Sequence, residues 1–201
     1  MTRRVFDLAG LERSDRGKLL SGLVVPRPIG WIGTSGSGGD NLAPYSFFNL
    51  VVTTPPIILF CPGRSQRDKD TLVNVRETGE FTVSSVTEEL LVAMNDSSAE
   101  VGHDVDEFAL AGVGKAYGDA VAVPFVAEAV AAFECRVTDI HDVGDGPAAS
   151  VVYGEVLRVH VDDRLLDGTR IDFDRFGAIG RLAGPWYSRT TDLIDLERPG
   201  I

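Results

Sequence analysis

Residues 41–49 read Asn-Leu-Ala-Pro-Tyr-Ser-Phe-Phe-Asn. Pro44 excludes a helix interior and marks a strand edge or a bulge. Polar and aromatic side chains follow it: Tyr45, Ser46, Phe47, Phe48 and Asn49. Ring planes beside a hydroxyl and an amide could hold a flat heteroaromatic ring, because the amide offers ring edges both a donor and an acceptor. A barrel strand with an aromatic core would have the same composition, and residue types alone leave both readings open.

Lys69-Asp70-Thr71 brings a different chemistry. The triplet opens a predicted helix, whose free N–H groups and positive dipole end attract anions. Lys69 adds a full charge and Thr71 a hydroxyl donor, with Arg64 and Arg67 close in sequence. The group reads as a compact cationic patch, or as a capped helix with a surface lysine. The chain has 201 residues and a formal net charge of −11. An anionic ligand would therefore need such a patch against the global field. Nucleic acid and anionic lipid are disfavoured as partners.

Other candidate motifs fail on spacing. Gly36-Ser-Gly-Gly-Asp40 lacks the third glycine and the following helix of a dinucleotide loop, and Gly17-Lys18 is followed by Leu19, so neither binds phosphate as a loop. They read as turns. His103, His141 and His160 show no i,i+4 pairing, and the adjoining Asp142, Asp162 and Asp163 suit solvated turns and strand ends better than a metal site. No Gly-x-Ser-x-Gly elbow occurs. Cys61 and Cys135 lie far apart in apolar runs and read as free, buried, small side chains.

The elements that must position these residues are mostly strands. Leu19–Val25, Ile29–Ser35, Leu42–Val52, Ile57–Cys61 and Phe81–Val86 are short β-like runs. Turn-formers at 36–40 suggest a hairpin. Ala129–Ile140 and Ser150–Val161 are longer and β-branched, with a turn predicted over His141–Pro147. Two helices are expected. One is capped by Asp68 or Asp70, runs to about Glu77 and closes at Gly79; the other is capped by Thr87 and ends at 95–98. A polar loop spans 100–107, and the tail 177–189 is rich in glycine and aromatics. The early connections are too short for parallel crossovers, so an antiparallel barrel in a single domain over 1–201 is predicted. The N-terminus lacks an apolar stretch after its arginines and no run approaches the ~20 residues of a membrane span, so a cytoplasmic protein is expected.

The ordered set Pro26-Arg-Pro-Ile-Gly-Trp-Ile-Gly-Thr34, Asn41 to Asn49, Pro55-Pro56, Lys69-Asp-Thr-Leu-Val-Asn74, Thr78-Gly-Glu-Phe81 and Gly180-Arg-Leu-Ala-Gly184 resembles the flavin reductase-like, FMN-binding split-barrel family. The resemblance covers nearly the whole chain. It implies a mainly β fold, an antiparallel split β-barrel of Greek-key type with a few short flanking helices, and a homodimer with FMN near the subunit interface. It implies phosphate contacts from Ser46, Lys69, Asp70 and Thr71. Thr34, Tyr45, Phe47, Phe48 and Asn49 are implied around the ribityl chain and ring, with Arg181 and Tyr187 approaching from the tail. Ala183 stands where the family pattern has glycine, which could shift the tail.

The activity so implied is hydride transfer from NADH or NADPH to FMN, with reduced flavin passed to a partner monooxygenase or kept as a prosthetic group. The alternative is a non-catalytic FMN-binding protein for storage or electron relay. FMN is preferred to FAD because no second glycine-rich pyrophosphate loop is visible. No side-chain acid or base is required, so no catalytic residue is assigned. His103 could reach the nicotinamide or simply be solvated.

Overall fold

The computed structural model describes residues 1–63, 68–144 and 149–200. In chain order its elements are α1 (Arg13–Leu23), β1 (Gly30–Gly36), β2 (Gly39–Tyr45), β3 (Phe48–Thr53), β4 (Pro56–Phe60), α2 (Asp70–Thr78), β5 (Glu80–Ser84), α3 (Leu91–Asp96), α4 (Glu107–Leu110), β6 (Lys115–Ala116), β7 (Phe125–Val126), β8 (Ala131–Val143), β9 (Ala149–Val161), β10 (Leu166–Asp167), β11 (Arg170–Ile171), α5 (Phe173–Phe176), β12 (Ile179–Arg181) and β13 (Tyr187–Arg189). Seven strands form one sheet in the order β2-β1-β5-β8-β9-β4-β3. Every pairing in it is antiparallel.

The two outer strands of that sheet, β2 and β3, are consecutive in the chain, separated only by Ser46 and Phe47. The sheet must therefore curl until its ends approach. Aromatic contacts inside the curl show this. The Tyr45 and Phe60 rings lie 5.3 Å apart, and Phe60 meets Phe81 at 5.1 Å. The result is an antiparallel β-barrel split at a seam, as the sequence predicts.

β1 divides the core because strand side chains alternate between faces. Ile32 joins Phe60, Phe81, Val83, Val152 and the α2 residues Leu72 and Val75 inside the barrel. Trp31 faces the other way, with Leu42, Met94, Phe108 and Ile179. Its indole Nε1 donates to Ser97 Oγ at 2.9 Å, so the large ring is buried with its polar atom satisfied. Gly30 leaves room for the Phe48 ring, which a Cβ would meet at 2.6 Å.

Four sequence expectations need correction. Leu19–Val25 is not a strand; most of it lies in the last turns of α1. The Arg27 guanidinium accounts for this by donating to the carbonyls of Ser21 (2.6 Å) and Val24 (2.5 Å), groups a helix end leaves unpaired. Leu42–Val52 is two strands, because the chain crosses the seam at Ser46 and Phe47. In α2, Gly79 closes the helix in the left-handed region (φ 71°) as expected, but the N-cap is Lys69. Asp68 pairs with Arg76 instead, and Asp70 with His103. Thr87 does not cap α3; it bridges Ala178, so 87–90 form a turn and the helix starts at Leu91.

Smaller differences remain. Cys135 is buried but Cys61 only partly so, and both are free. The tail carries the β12–β13 hairpin, which the sequence does not announce. The turn expected over His141–Pro147 lies partly outside the described residues; β8 continues to Val143.

Candidate functional site

A cleft runs along β2, an edge strand of the sheet. One end is lined by Asn41, Tyr45, Lys69, Asp70, Thr71, Glu100 and Glu107. The other end is lined by Ile29, Ser46, Asn95, Arg181 and Tyr187. Pro44 and Ser98 line both, so the two ends adjoin. Three segments far apart in sequence thus converge: the β2 end, the α2 start and the tail hairpin.

A directional hydrogen-bond network shapes the first end. The Tyr45 hydroxyl donates to Thr71 Oγ1 at 2.9 Å, and Thr71 donates to Asn41 Oδ1 at 2.7 Å. Asn74 Nδ2 donates to Thr34 Oγ1 (3.2 Å), which donates to Asn41 Oδ1 (3.3 Å). Asn41 Nδ2 then donates to Glu107 Oε2 at 2.9 Å, and the Leu42 N–H adds a second bond at 3.2 Å. Tyr45, Thr71, Thr34 and Asn41 each have their roles fixed by their neighbours, whereas Asn74 Oδ1 is buried without a partner among the described residues. Burial pushes the Tyr45 hydroxyl up to about 12, a shift the Thr71 bond opposes and the charges of Asp70 and Glu107 reinforce. Burial also raises the Glu107 carboxyl, against the bonds from Leu42 and Asn41.

The α2 start is uncapped: among the described residues no side chain bonds its first N–H groups. Lys69, at the N-cap, pairs with Glu100 at 3.0 Å. Asp70 Oδ1 lies 2.8 Å from His103 Nδ1, and the His103 ring packs against Gly38. His103 is exposed, as the solvated reading has it, and does not line the cleft. Lys69 shares its end of the cleft with three carboxylates, Asp70, Glu100 and Glu107. The expected cationic patch is therefore already internally paired. Arg64 and Arg67 lie outside the described residues.

Positive charge gathers at the other end. The Arg181 guanidinium lies over the Tyr187 ring at 4.5 Å. Arg27 and Arg181 exchange backbone hydrogen bonds at 3.0 and 2.8 Å. Arg27 is buried; its Nη2 donates to Leu182 O at 2.6 Å and its Nε to Ser46 Oγ at 3.4 Å. Burial, and then the charge of Arg181, lowers its pKa.

Of the residues singled out from sequence, Tyr45, Ser46, Lys69, Asp70, Thr71, Arg181 and Tyr187 line the cleft. Thr34 is fully buried and acts behind Asn41. Phe47 is exposed beneath Arg27, Phe48 covers Gly30, and Asn49 Oδ1 accepts from its neighbour's N–H. These three lie along the seam. Sequence reading missed Glu107, Asn74 and Arg27. Arg27 sits inside the Pro26-Arg-Pro28 string, and Glu107 follows Asp106, which caps α4; both signals were present. Among the described residues no group of three His, Cys, Asp or Glu could hold a metal, and no helix is long and apolar enough to cross a membrane.

Known proteins share this architecture. Nitrilotriacetate monooxygenase component B from Bacillus cereus is 31% identical with a TM-score of 0.95, covering 98% of this chain and all of that one. Pseudomonas fluorescens 2-nitrobenzoate 2-nitroreductase NbaA is 31% identical with a TM-score of 0.89, covering 98% and 96%. A Shewanella frigidimarina protein with a split barrel domain, 21% identical, matches with a TM-score of 0.83 over 96% of each chain. The family model for the flavin reductase like domain matches residues 21–177. That span takes in β1 to β9 and both the β2 and α2 walls of the cleft, so the chain belongs to the flavin reductase-like, split-barrel family.

Proposed function

We propose that the chain is an oxidoreductase that binds FMN in this cleft and passes hydride to it from NADH or NADPH, working as one domain in a homodimer. The observation that carries the proposal is the uncapped start of α2, with Lys69 at its N-cap, opening onto a cleft whose adjoining end holds Ser46, Arg181 and Tyr187. A helix start with unbonded N–H groups suits a phosphate. A groove with a positive, aromatic far end suits an anionic flavin. Bound FMN would supply the two-electron chemistry, and the protein supplies position and electrostatics.

In this reading Lys69 exchanges Glu100 for the phosphate, Thr71 and Ser46 offer hydroxyls, and Asp70 fixes the helix start through His103. The Tyr45–Thr71–Asn41–Glu107 network holds the floor still. Phe47, Phe48 and Asn49 reach the ring from the seam, and Thr34 works through Asn41. FMN is favoured over FAD because the sequence has no second glycine-rich loop for a pyrophosphate. Likeness to nitrilotriacetate monooxygenase component B supports delivery of reduced flavin to a partner oxygenase.

Lys69→Ala is expected to weaken FMN binding at least tenfold, the scale of one charge-assisted hydrogen bond of about 1.5–3 kcal/mol. Quenching of FMN fluorescence during titration measures it. An unchanged affinity would remove Lys69 from the phosphate site. The function itself is tested by adding NADH or NADPH to protein with FMN and following the flavin absorbance. Bleaching with either nucleotide is expected; binding without bleaching would leave a flavin store or relay.

The dimer reading rests on β3. It is an edge strand whose Leu50, Val51 and Val52 side chains are exposed. An apolar edge of this kind invites pairing with a second copy. Val51→Asp is expected to convert dimer to monomer in sedimentation velocity; a dimer unaffected by the charge would point to another interface.

A further inference from the structure

A second apolar groove lies outside the cleft. Its floor is Leu20, Val24 and Phe47, all exposed, and its rim carries Arg13 and Arg16. Among the described residues neither arginine has an ion pair; the acid within α1, Asp15, pairs with Lys18. An unpaired basic rim is unusual in a chain of net charge −11. The segment that follows β13 has the opposite character. Leu193, Ile194 and Leu196 are exposed, Ile194 by 90% and Leu196 by 86%. Asp192, Asp195 and Glu197 alternate with them and form no ion pair among the described residues. Apolar surface of this extent on a segment without regular structure calls for a partner.

We propose that this acidic, apolar C-terminal segment of one copy docks in the arginine-rimmed groove of a second copy. The inference rests on the dimer of the preceding section. Charge complementarity chooses the occupant: unpaired acids meet unpaired arginines, and Ile194 and Leu196 meet Leu20 and Val24. The path of the chain favours exchange between copies. The β12–β13 hairpin sets its Arg181 end against Arg27, near the groove, but its Ile179–Arg189 end lies by Thr87 and Glu88. The segment leaves from that end and does not enter the groove of its own chain, since Leu193, Ile194 and Leu196 stay exposed. Phe47 adjoins the exposed stripe of β3, so a copy that covers the stripe brings its chain past the groove.

The test uses full-length protein, half of it labelled with ¹⁵N, carrying a photo-crosslinker at Leu20. Crosslinks to residues 192–197 of mixed isotope composition are expected. Arg13→Glu with Arg16→Glu should weaken self-association about tenfold, and adding Asp192→Arg with Asp195→Arg should restore it to within about threefold. A dimer whose crosslinks lie within one chain only, or that shows none to this segment, overturns the exchange and leaves the dimer standing. Failure of the reversed charges to rescue also overturns it. A monomeric wild-type protein would sink the dimer reading itself, and the exchange with it.

Discussion

Glu134→Ala lowers the stability of this barrel by about 2–4 kcal/mol in urea unfolding at neutral pH, the cost of leaving two backbone N–H groups without their acceptor at about 1–3 kcal/mol each. Glu134 sits on β8 with no exposed surface. Its Oε2 accepts from the N–H groups of Ala120 (2.7 Å) and Val121 (2.9 Å), and its Oε1 lies 2.7 Å from His160 Nε2. His160 in turn packs its ring on Phe125 at 4.7 Å. One carboxylate therefore pins the segment between β6 and β7 to the central hairpin. Removing it leaves two N–H groups and a histidine unpaired.

The same residue sets a pH dependence. Burial alone would raise its carboxyl; the His160 bond and the Val121 and Ala120 N–H groups outweigh burial and hold it below the usual range. A carboxyl depressed in the folded state contributes stability in full above its unfolded pKa of about 4.3, and that contribution vanishes as pH falls through the folded value. Wild-type stability should thus decline below about pH 4. Glu134→Gln, which keeps an acceptor for the N–H groups, should lose less at pH 7 and show a flatter acid limb. An acid limb as steep as wild type in that variant would assign the decline to other carboxylates.

Asn41→Ala has the second largest effect. Asn41 is the one amide that meets Thr34, Thr71 and Glu107 together. Each buried group left without its partner costs about 1–3 kcal/mol. The loss should be about 2–3 kcal/mol after relaxation, with Tyr45 and Thr71 free to move in the cleft. FMN affinity should fall by about two orders of magnitude, on the scale of two lost constraints of about 1.4 kcal/mol each. Unfolding and fluorescence titration read the two separately. A destabilised variant that bound FMN as tightly as wild type would make the network structural only.

Local signals made half of this readable from sequence. Gly79 needed a left-handed conformation and marked the end of α2; the long β-branched runs gave β8 and β9. The α1 helix was hidden because none of its residues is buried and its last turn depends on Arg27, whose side chain folds back from beyond the helix. Charges at Lys69 read as a free patch because sequence does not show that Glu100 will meet them across thirty-one residues. The Asp106 cap marked the place of Glu107, but not its role, because its partner Asn41 lies sixty-six residues away. The Asn41–Asn49 string was legible as chemistry, but not as a chain passing between two edges of one sheet, which splits its residues between a cleft and a seam.

That seam also dictates an order of assembly. β8 and β9 are neighbours in the chain and can zip locally, and β1 with β2 likewise. β4 must find β9, with Ile57 opposite Glu155, across most of the molecule. Closing such a span carries a loop entropy that only a formed β9 template can offset. The β3–β4 hairpin should therefore dock late, and the edge proposed above to meet a second copy becomes the last to join the sheet. In the proposed dimer, folding and pairing would then be successive events on one surface.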